Sequence, residues 1–363
     1  MRTLIFRGSL RTSEIVIGAN SVDILPELVR RLRPSDAFIV TDQNVANLYL
    51  EPILARLRDS GAKTAFRIFP PGEKTKSLES LNLLYDDFAS ARLDRSSLVI
   101  ALGGGVIGDL TSLAAATYMR GTKLLDIPTT LLSMADSCIG GKAAVNYAGL
   151  KNLIGTFYQP DAVVIDTNTL STLPRREYVS GLAEVVKSAS VGDPLLFSIL
   201  EREKDKILTK DCETVTELIE RSLKVKIAVV SEDETERGAR RILNLGHTLA
   251  HALEAHLNFS DLLHGEAVSL GLVFASEISA SLGVCRSESA LKMRQVLLSF
   301  GLPVSLSSAN PDELVSLMQR DKKTVANKLT FVLLEDIGRV KIVEDVDPEL
   351  VKRILAECQA EFK

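Results

Sequence analysis

The first half of the chain alternates short β-rich runs with helical patterns, and this alternation restricts the possible folds most strongly. The candidate strands are residues 14–18, 36–42, 64–70, 96–105, 123–129 and 162–167. Their apolar residues are consecutive, which is typical of strands buried on both faces, and helical patterns such as residues 78–93 lie between them. The pattern predicts an α/β domain over residues 1–170, with a Rossmann-like parallel sheet covered by helices.

The second half of the chain has a different pattern. After Leu173-Pro174 it consists of amphipathic helical stretches, followed by a short β-like segment at 328–344. A single core usually stops growing below about 250–300 residues, so a chain of 363 residues is expected to form two domains. We therefore expect a mostly α-helical second domain over residues 171–363.

The composition excludes several classes of protein. A net charge of −4 and the absence of tryptophan argue against a nucleic-acid binder, which would need a basic face and stacking platforms. No apolar run approaches the length of about 20 residues that a transmembrane helix needs, and the N-terminus has no signal-peptide core. The four cysteines are scattered along the chain without a CxxC pair, and this spacing predicts reduced thiols. We expect a cytoplasmic enzyme.

Residues 98–118 read as a strand, a glycine loop and a helix. Gly103, Gly105 and Gly108 match the G-x-G-x-x-G pattern, in which glycine lets the backbone approach a pyrophosphate at a helix N-terminus. The loop comes later in the chain than a usual dinucleotide fingerprint. Asp126 lies near the expected offset for a ribose-binding acid, but Asp42, at the end of an earlier strand, is better placed. A glycine turn that serves packing alone remains the alternative.

All four histidines lie between residues 247 and 264. His247 and His251 are four apart on one face of a predicted helix, and His264 begins another apolar helix. Imidazoles from two helices, joined by a carboxylate, form a suitable site for a divalent ion. For His256 a surface role is the better interpretation, and capping or surface roles stay open for the others.

Two further groups of polar residues are candidates for a site. Asp136, Lys142, Lys151 and Asn152 lie in a glycine-punctuated stretch that we predict to be a loop, and lysines around paired glycines suit an anion. Solvated loop lysines are the alternative.

The second group precedes the histidines in the chain. Glu184 and Lys187 are three apart and share one helix face, either as part of a site or as a surface ion pair. Arg240 and Asn244 precede His247, and they continue its helix unless Gly246 begins a new one.

Taken together, the motifs resemble those of the 3-dehydroquinate synthase family. The stretches that carry the resemblance span nearly the whole chain and are PGEKTKS, GGGVIGD, AATYMRG, IPTTLL, ADSCIGGK, KNLIGTFYQP, STLPRREYVSGLAEVVK, LNLGHTLAHALE and LLHGEAVSLGL. The resemblance implies NAD as cofactor and a divalent metal, zinc or cobalt, held by Glu184, His247 and His264. It also implies a homodimer that acts on a small phosphorylated molecule.

The resemblance assigns the other site residues as well. The implied NAD contacts are Asp42, Asn44, Gly72, Glu73, Lys74, Thr75, Lys76, Gly103, Gly104, Gly105, Val106, Ile107, Gly108, Asp109, Thr129, Thr130, Lys142, Lys151, Thr169, Leu170, Ser171 and Thr172. The implied substrate-binding and catalytic residues are Asp136, Lys142, Asn152, Lys187, Lys226, Arg240, Asn244, His251, one of Lys322 and Lys323, and Arg120 from a neighbouring subunit.

The implied reaction converts 3-deoxy-D-arabino-heptulosonate 7-phosphate into 3-dehydroquinate and phosphate. It proceeds by transient oxidation with NAD, β-elimination of phosphate, re-reduction and intramolecular aldol closure. The alternatives are another sugar phosphate cyclase, of the 2-deoxy-scyllo-inosose synthase type, a metal-dependent dehydrogenase of the glycerol type, and a relative without catalytic activity.

Overall fold

The computed structural model describes residues 1–9, 11–257, 262–306, 310–320 and 329–360. Within these residues the strands are β1 (Arg2–Arg7), β2 (Thr12–Gly18), β3 (Asp36–Asp42), β4 (Lys63–Phe69), β5 (Leu98–Gly103), β6 (Lys123–Pro128), β7 (Lys142–Tyr147), β8 (Leu150–Phe157), β9 (Ala162–Asp166), β10 (Phe331–Asp336) and β11 (Arg339–Val343). The helices are α1 (Leu25–Leu32), α2 (Gln43–Val45), α3 (Glu51–Arg58), α4 (Leu78–Ser90), α5 (Gly105–Thr117), α6 (Arg175–Gly192), α7 (Pro194–Arg202), α8 (Lys204–Leu208), α9 (Cys212–Glu232), α10 (His247–His256), α11 (His264–Ser281), α12 (Ser287–Ser299), α13 (Pro311–Arg320) and α14 (Pro348–Ala360).

The chain forms two compact units. Unit 1 comprises residues 1–173 and 215–235, and unit 2 comprises residues 174–214 and 236–363. This division differs from the expected boundary at residue 170 in one respect, because most of α9 belongs to unit 1. Polar contacts join residues 215–235 to the rest of unit 1: Lys226 pairs with Asp136, and the Glu234 carboxylate accepts from the backbone N–H and the hydroxyl of Ser9.

A seven-stranded sheet forms the centre of unit 1, in the order β1-β2-β9-β6-β5-β3-β4. All neighbouring strands pair in parallel except β1 and β2. Phe38 and Val40 of β3 pack into one apolar core, and Ile39 packs into the core on the opposite face of the sheet. Because both faces are covered, the strands carry consecutive apolar residues, and the predicted parallel α/β sheet is confirmed.

The prediction of a loop over the stretch from Asp136 to Asn152 is wrong. A π-helical turn at Ser133–Ser137 leads into an antiparallel hairpin of β7 and β8. The hairpin closes with Ala148 and Gly149, both at positive φ, which is the turn geometry that matches the twist of two antiparallel strands. The apolar residues of β8 are largely exposed, so the burial-based pattern that identified the other strands is missing in this strand.

Unit 2 is mostly helical, as expected. Its central helix, α11, is buried from Gly265 to Ile278 on nearly every side, and α6, α10 and α12 pack against it. The hairpin of β10 and β11 adds Phe331 and Leu333 to the apolar core formed with α10, α13 and α14. No helix in the described ranges is long and apolar enough to cross a membrane.

Asp126 is an acidic residue within the sheet core of unit 1. It lies on β6 with 7% of its surface exposed, and its Oδ1 atom makes no hydrogen bond. Burial, reinforced by the nearby negative charge of Asp109, raises the pKa of Asp126 to about 8. The group therefore keeps its proton in the folded state over a pH range in which the unfolded chain has lost it.

We predict that this residue makes the protein less stable as pH rises. A carboxyl whose pKa is higher in the folded state than its ordinary 3.8 costs stability between those two pH values, with a slope of up to about 1.4 kcal/mol per pH unit. Denaturant unfolding at pH 5 and pH 8 should show Asp126→Asn gaining stability over wild type at the higher pH. The exposed Asp59→Asn serves as control, and equal pH dependence of all three proteins would contradict the prediction.

Candidate metal centre and nucleotide loop

Three predicted metal ligands converge in unit 2. Glu184 lies on α6, and His247 and His264 are the first residues of α10 and α11. Glu184 Oε1 lies 3.5 Å from His247 Nε2 and 3.3 Å from His264 Nε2, and the three ligand atoms lie within 4.8 Å of one another. Two imidazole nitrogens and one carboxylate oxygen form a donor set that fits zinc or cobalt and leaves a further coordination position for another ligand.

The second nitrogen of each ring has its own partner. His247 Nδ1 lies 3.2 Å from the carbonyl oxygen of Leu245, and His264 Nδ1 lies 3.1 Å from Glu254 Oε1. With Nδ1 engaged, the Nε2 atoms of both rings face Glu184. The sequence analysis missed Glu254, although its position seven residues after His247 places it on the same face of α10.

The triad carries a buried negative charge that neighbouring cations balance. Burial opposes ionisation of Glu184, but Lys187, whose Nζ lies 2.5 Å from Glu184 Oε2, and the two histidines hold its pKa well below the ordinary value. Burial lowers the pKa of His247 well below its ordinary value. Against the effect of burial, hydrogen bonds to Glu184 and Glu254 raise the pKa of His264 to about 9. The site is therefore adapted to hold a carboxylate among positive charges.

Glycines allow the helices that carry the triad to approach closely. A Cβ atom at Gly265 would lie 1.9 Å from the Ser180 carbonyl oxygen on α6, and one at Gly271 would lie 1.8 Å from the Gly246 carbonyl oxygen. Gly246 itself has a φ of +79°, which other residues rarely adopt, and it directly precedes His247. The positions of both histidines thus depend on backbone contacts that a methyl group would prevent.

The remaining unit 2 candidates lie near the triad in sequence. Arg240 is 1% exposed and belongs, with Asn244, to a 3₁₀ turn at Ala239–Asn244, so Gly246 begins a new helix and the continuous-helix alternative is wrong. Asn244 Nδ2 donates to Glu236 Oε1 at 2.9 Å, a partner that the sequence analysis missed. The His251 ring lies 5.5 Å from that of His247. Lys322 and Lys323 lie outside the described residues.

The glycine loop of unit 1 connects β5 to α5 as predicted. A Cβ at Gly103 would lie 2.8 Å from Ile107 Cβ, and one at Gly104 would lie 3.0 Å from Thr130 Cγ2. The backbone of Thr129 donates to the Gly103 carbonyl, which ties the loop to the end of β6. At Gly108, by contrast, a Cβ would meet nothing within 4 Å. Packing explains the first two glycines, and the loop presents the N-terminus of α5, which suits a phosphate group.

Charged residues surround this loop. Lys76, which is 5% exposed, forms an ion pair with Asp109, and burial raises the pKa of that aspartate while Lys76 opposes the rise. Glu73 Oε1 accepts from Asn146 Nδ2 at 2.8 Å. Asp42 Oδ1 accepts from the backbone N–H groups of Asn44 and Val45, so this carboxylate caps a helix.

The other predicted cofactor contacts are spread over unit 1. Those with buried side chains are Thr75, Ile107, Thr129, Thr169 and Leu170, and the more accessible ones are Gly72, Lys74, Gly105, Val106, Thr130, Lys151, Ser171 and Thr172. Thr172 Oγ1 lies 2.5 Å from the Tyr49 hydroxyl. Thr172 and the three predicted contacts before it belong to a 3₁₀ turn, Thr167–Thr172, that follows β9.

The predicted substrate residues of unit 1 occupy the π-helical turn, the hairpin and α9. Lys226 Nζ lies 3.0 Å from Asp136 Oδ1 and donates to the Asp136 carbonyl at 2.8 Å. Lys142 begins β7 with an exposed side chain, and Asn152 lies on β8 at a φ of +52°. Arg120, also at positive φ, ends an exposed 3₁₀ turn at Tyr118–Arg120.

Comparison with known proteins identifies the family. Two family models match, described as 3-dehydroquinate synthase N-terminal over residues 66–180 and 3-dehydroquinate synthase C-terminal over residues 181–324. A 3-dehydroquinate synthase from Nitrosospira multiformis is 42% identical over 99% of this chain and 98% of its own length. One from Dehalococcoides mccartyi is 38% identical over 99% of this chain and 100% of its own length.

Solved structures share the fold. The 2-epi-5-epi-valiolone synthase of Streptomyces hygroscopicus, with NAD⁺ and Zn²⁺ bound, superposes with a TM-score of 0.89 at 27% identity, covering 97% of both chains. A 2-deoxy-scyllo-inosose synthase, complexed with carbaglucose-6-phosphate, NAD⁺ and Co²⁺, has a TM-score of 0.89 at 24% identity, covering 98% of this chain and 99% of its own. The second likeness concerns the fold alone.

We predict that Gly265→Ala disrupts the triad. The added methyl group would overlap the Ser180 carbonyl, so the start of α11 must move away from α6 and take His264 with it. Zinc titration should show metal affinity at least about tenfold weaker, together with a lower unfolding temperature. Gly108→Ala, whose methyl group meets nothing within 4 Å, should keep wild-type zinc affinity. Equal zinc affinity of both variants would contradict the packing argument.

Proposed function

We propose that the chain, which belongs to the 3-dehydroquinate synthase family, converts 3-deoxy-D-arabino-heptulosonate 7-phosphate into 3-dehydroquinate and phosphate with NAD and a divalent metal. This makes it a phosphorus–oxygen lyase. The observation that carries the proposal for the residues is the convergence of Glu184, His247 and His264 within 4.8 Å. When bound, NAD supplies a reversible hydride acceptor, and the metal supplies a Lewis acid for the substrate oxygen at which oxidation occurs.

In unit 2, we assign binding and orientation of the substrate to side chains outside the triad. The buried Arg240 guanidinium provides a fixed fork for a carboxylate, a geometry that Lys cannot reproduce. Lys187 and Asn244 present donors suited to hydroxyl groups, and His251 suits a phosphate oxygen. We assign one of Lys322 and Lys323 to the phosphate as well, although both lie outside the described residues.

In unit 1, we assign the nucleotide to the glycine loop and its surroundings. The N-terminus of α5 faces the loop and favours a pyrophosphate, and the acids at the ends of β3 and near α5 suit hydroxyl groups of the ribose and the carboxamide of the ring. We propose Lys142 and Lys151 as donors where cofactor and substrate meet. The full set of proposed cofactor residues is the one that the sequence resemblance implies.

Asp136 and Lys226 form the best-defined polar pair among the proposed substrate residues of unit 1. Lys226 is 6% exposed and holds both the carboxylate and the backbone carbonyl of Asp136, which fixes the π-helical turn. We assign Asp136 to a ring hydroxyl and Lys226 to the substrate carboxylate. Elimination of phosphate leaves negative charge on the departing group, which the cationic side chains of Lys142 and its neighbours stabilise.

The proposed function is tested by phosphate release from the heptulosonate phosphate, with zinc-loaded protein and NAD far below the substrate concentration. We expect many phosphates per NAD without accumulation of NADH, because the hydride returns in each turnover. Net accumulation of NADH would indicate a dehydrogenase. No phosphate from this substrate, but release from glucose 6-phosphate, would indicate a cyclase of the 2-deoxy-scyllo-inosose synthase type.

We also propose a homodimer that forms through the β7–β8 hairpin. Five large apolar residues of this hairpin are exposed, namely Tyr147, Leu150, Leu153, Ile154 and Phe157, with exposed fractions from 36% to 52%. An apolar patch of this kind on one hairpin is typical of a protein interface. The dimer would supply Arg120 to the site of a neighbouring subunit.

A cytoplasmic location remains part of the proposal, since all four cysteines lie in described residues and none forms a disulfide.

We predict that charges on the hairpin separate the subunits. The double variant Leu150→Lys, Leu153→Lys should sediment as a monomer in analytical ultracentrifugation, because lysine ammonium groups would face the apolar surface of the partner. Phosphate release should fall at least about tenfold, since the Arg120 contribution is lost. Leu298→Lys on α12, where the leucine is 56% exposed, is the control and should remain dimeric. A monomeric wild type would refute the dimer.

A further inference from the structure

We propose that Glu254 is a positioning residue of the metal centre, whose carboxylate orients the His264 ring so that Nε2 faces Glu184. The inference rests on the proposed metal site and names a residue outside the three ligands. Its basis is the geometry of one imidazole held at both nitrogens, by Glu254 Oε1 at 3.1 Å from Nδ1 and by Glu184 Oε1 at 3.3 Å from Nε2.

The His264 ring depends on these carboxylates more than the His247 ring does. The His247 side chain is 12% exposed and packs within unit 2, whereas 33% of the His264 side chain is exposed. Packing therefore limits the rotation of the His247 ring, whereas it restricts the rotation of the His264 ring only in part. Hydrogen bonds at both nitrogens fix the rotation of an imidazole about its Cβ–Cγ bond, so the half-exposed ring gains its orientation from Glu254 and Glu184 together.

The chemistry of the two acceptors also differs. His247 Nδ1 faces the neutral carbonyl of Leu245, while His264 Nδ1 faces a carboxylate. When Nε2 binds a metal ion, an anionic acceptor at Nδ1 holds the ring proton on that nitrogen and increases the electron density at Nε2. His264 should consequently be the stronger donor of the two imidazoles toward a divalent cation.

The burial of Glu254 supports a specific role. The residue is 4% exposed and its neighbours Leu249 and Leu253 belong to the apolar core of unit 2. A carboxylate at such a position costs folding free energy unless it is paired and hydrogen-bonded. The pairing that Glu254 makes with His264 satisfies this requirement and at the same time places a second layer of support behind one ligand.

The test compares Glu254→Gln with the matched control Glu277→Gln. In wild type, Glu277 on α11 pairs with Arg294 on α12. Zinc affinity is measured by competition with a chromophoric chelator, and the visible spectrum of the Co²⁺-loaded protein reports ligand geometry. We expect Glu254→Gln to bind zinc about 10–100-fold more weakly with a changed Co²⁺ spectrum. Glu277→Gln should match wild type in both measurements.

A second variant, Glu254→Asp, and a third measurement, ¹⁵N NMR of the histidines, keep the test decisive if Glu254→Gln folds poorly. Glu254→Asp keeps the charge but shortens the side chain, and it should also weaken zinc binding while circular dichroism shows native helix content. Selective ¹⁵N labelling of the four histidines in the zinc-loaded protein should show the Nδ1–H tautomer of His264 in wild type and its loss in Glu254→Gln. A merely structural glutamate would alter stability without changing the tautomer or the Co²⁺ spectrum.

The outcomes separate this inference from the proposed function. If wild type binds one zinc ion and Glu254→Gln binds it equally tightly with the same Co²⁺ spectrum, the positioning role is refuted and the metal site stands. If wild type and Glu184→Gln fail alike to bind zinc, the metal site itself is refuted, and the role of Glu254 falls with it.

Discussion

Two backbone contacts in unit 2 determine where the three proposed metal ligands lie. Gly265 of α11 lies against the Ser180 carbonyl of α6, and Gly271 of α11 lies against the carbonyl of Gly246, the residue before His247. Both contacts are too close for any side chain. They bring the three ligand-bearing helices to one point, and the positions of Glu184 and both histidines follow from this spacing. Such contacts would make the proposed metal centre rigid, because the helices cannot separate without losing packing along α11.

Charge balance determines which side chains are stable at the buried point where the three helices meet. Glu184 is 1% exposed, a position where an isolated carboxylate would be strongly unfavourable. Lys187, one turn further along α6, and the imidazoles offset this cost from opposite sides of the carboxylate. The same arrangement explains why Lys187 is 2% exposed, since neither member of the pair is stable alone. The ion pair that the sequence left as a possible surface contact is therefore part of the buried site.

The parts of the site that the sequence predicts are those with a periodic or local signal. Helical spacing placed His247 beside His251 and Glu184 beside Lys187, and consecutive apolar residues identified the strands of the central sheet. The metal role of Glu184 came from the family resemblance. Helical spacing places Glu254 on the face of His247, but its partner His264 is on another helix, so only the fold shows which ring it contacts. The β7–β8 hairpin was missed for a different reason. The large apolar residues of β8, such as Leu150, are exposed, so their pattern does not indicate burial within one chain.

The glycine loop of unit 1 shows how one motif combines two requirements. A Cβ would lie 2.8 Å from Ile107 at Gly103 and 3.0 Å from Thr130 at Gly104, so packing favours glycine at these two positions. Gly108 has no neighbour within 4 Å of its would-be Cβ, and packing does not require a glycine there. Gly108 lies on the first turn of α5, near the helix N-terminus that a phosphate-bearing ligand would approach. The last glycine of the pattern thus carries the argument for a ligand, while the earlier ones shape the turn that presents it.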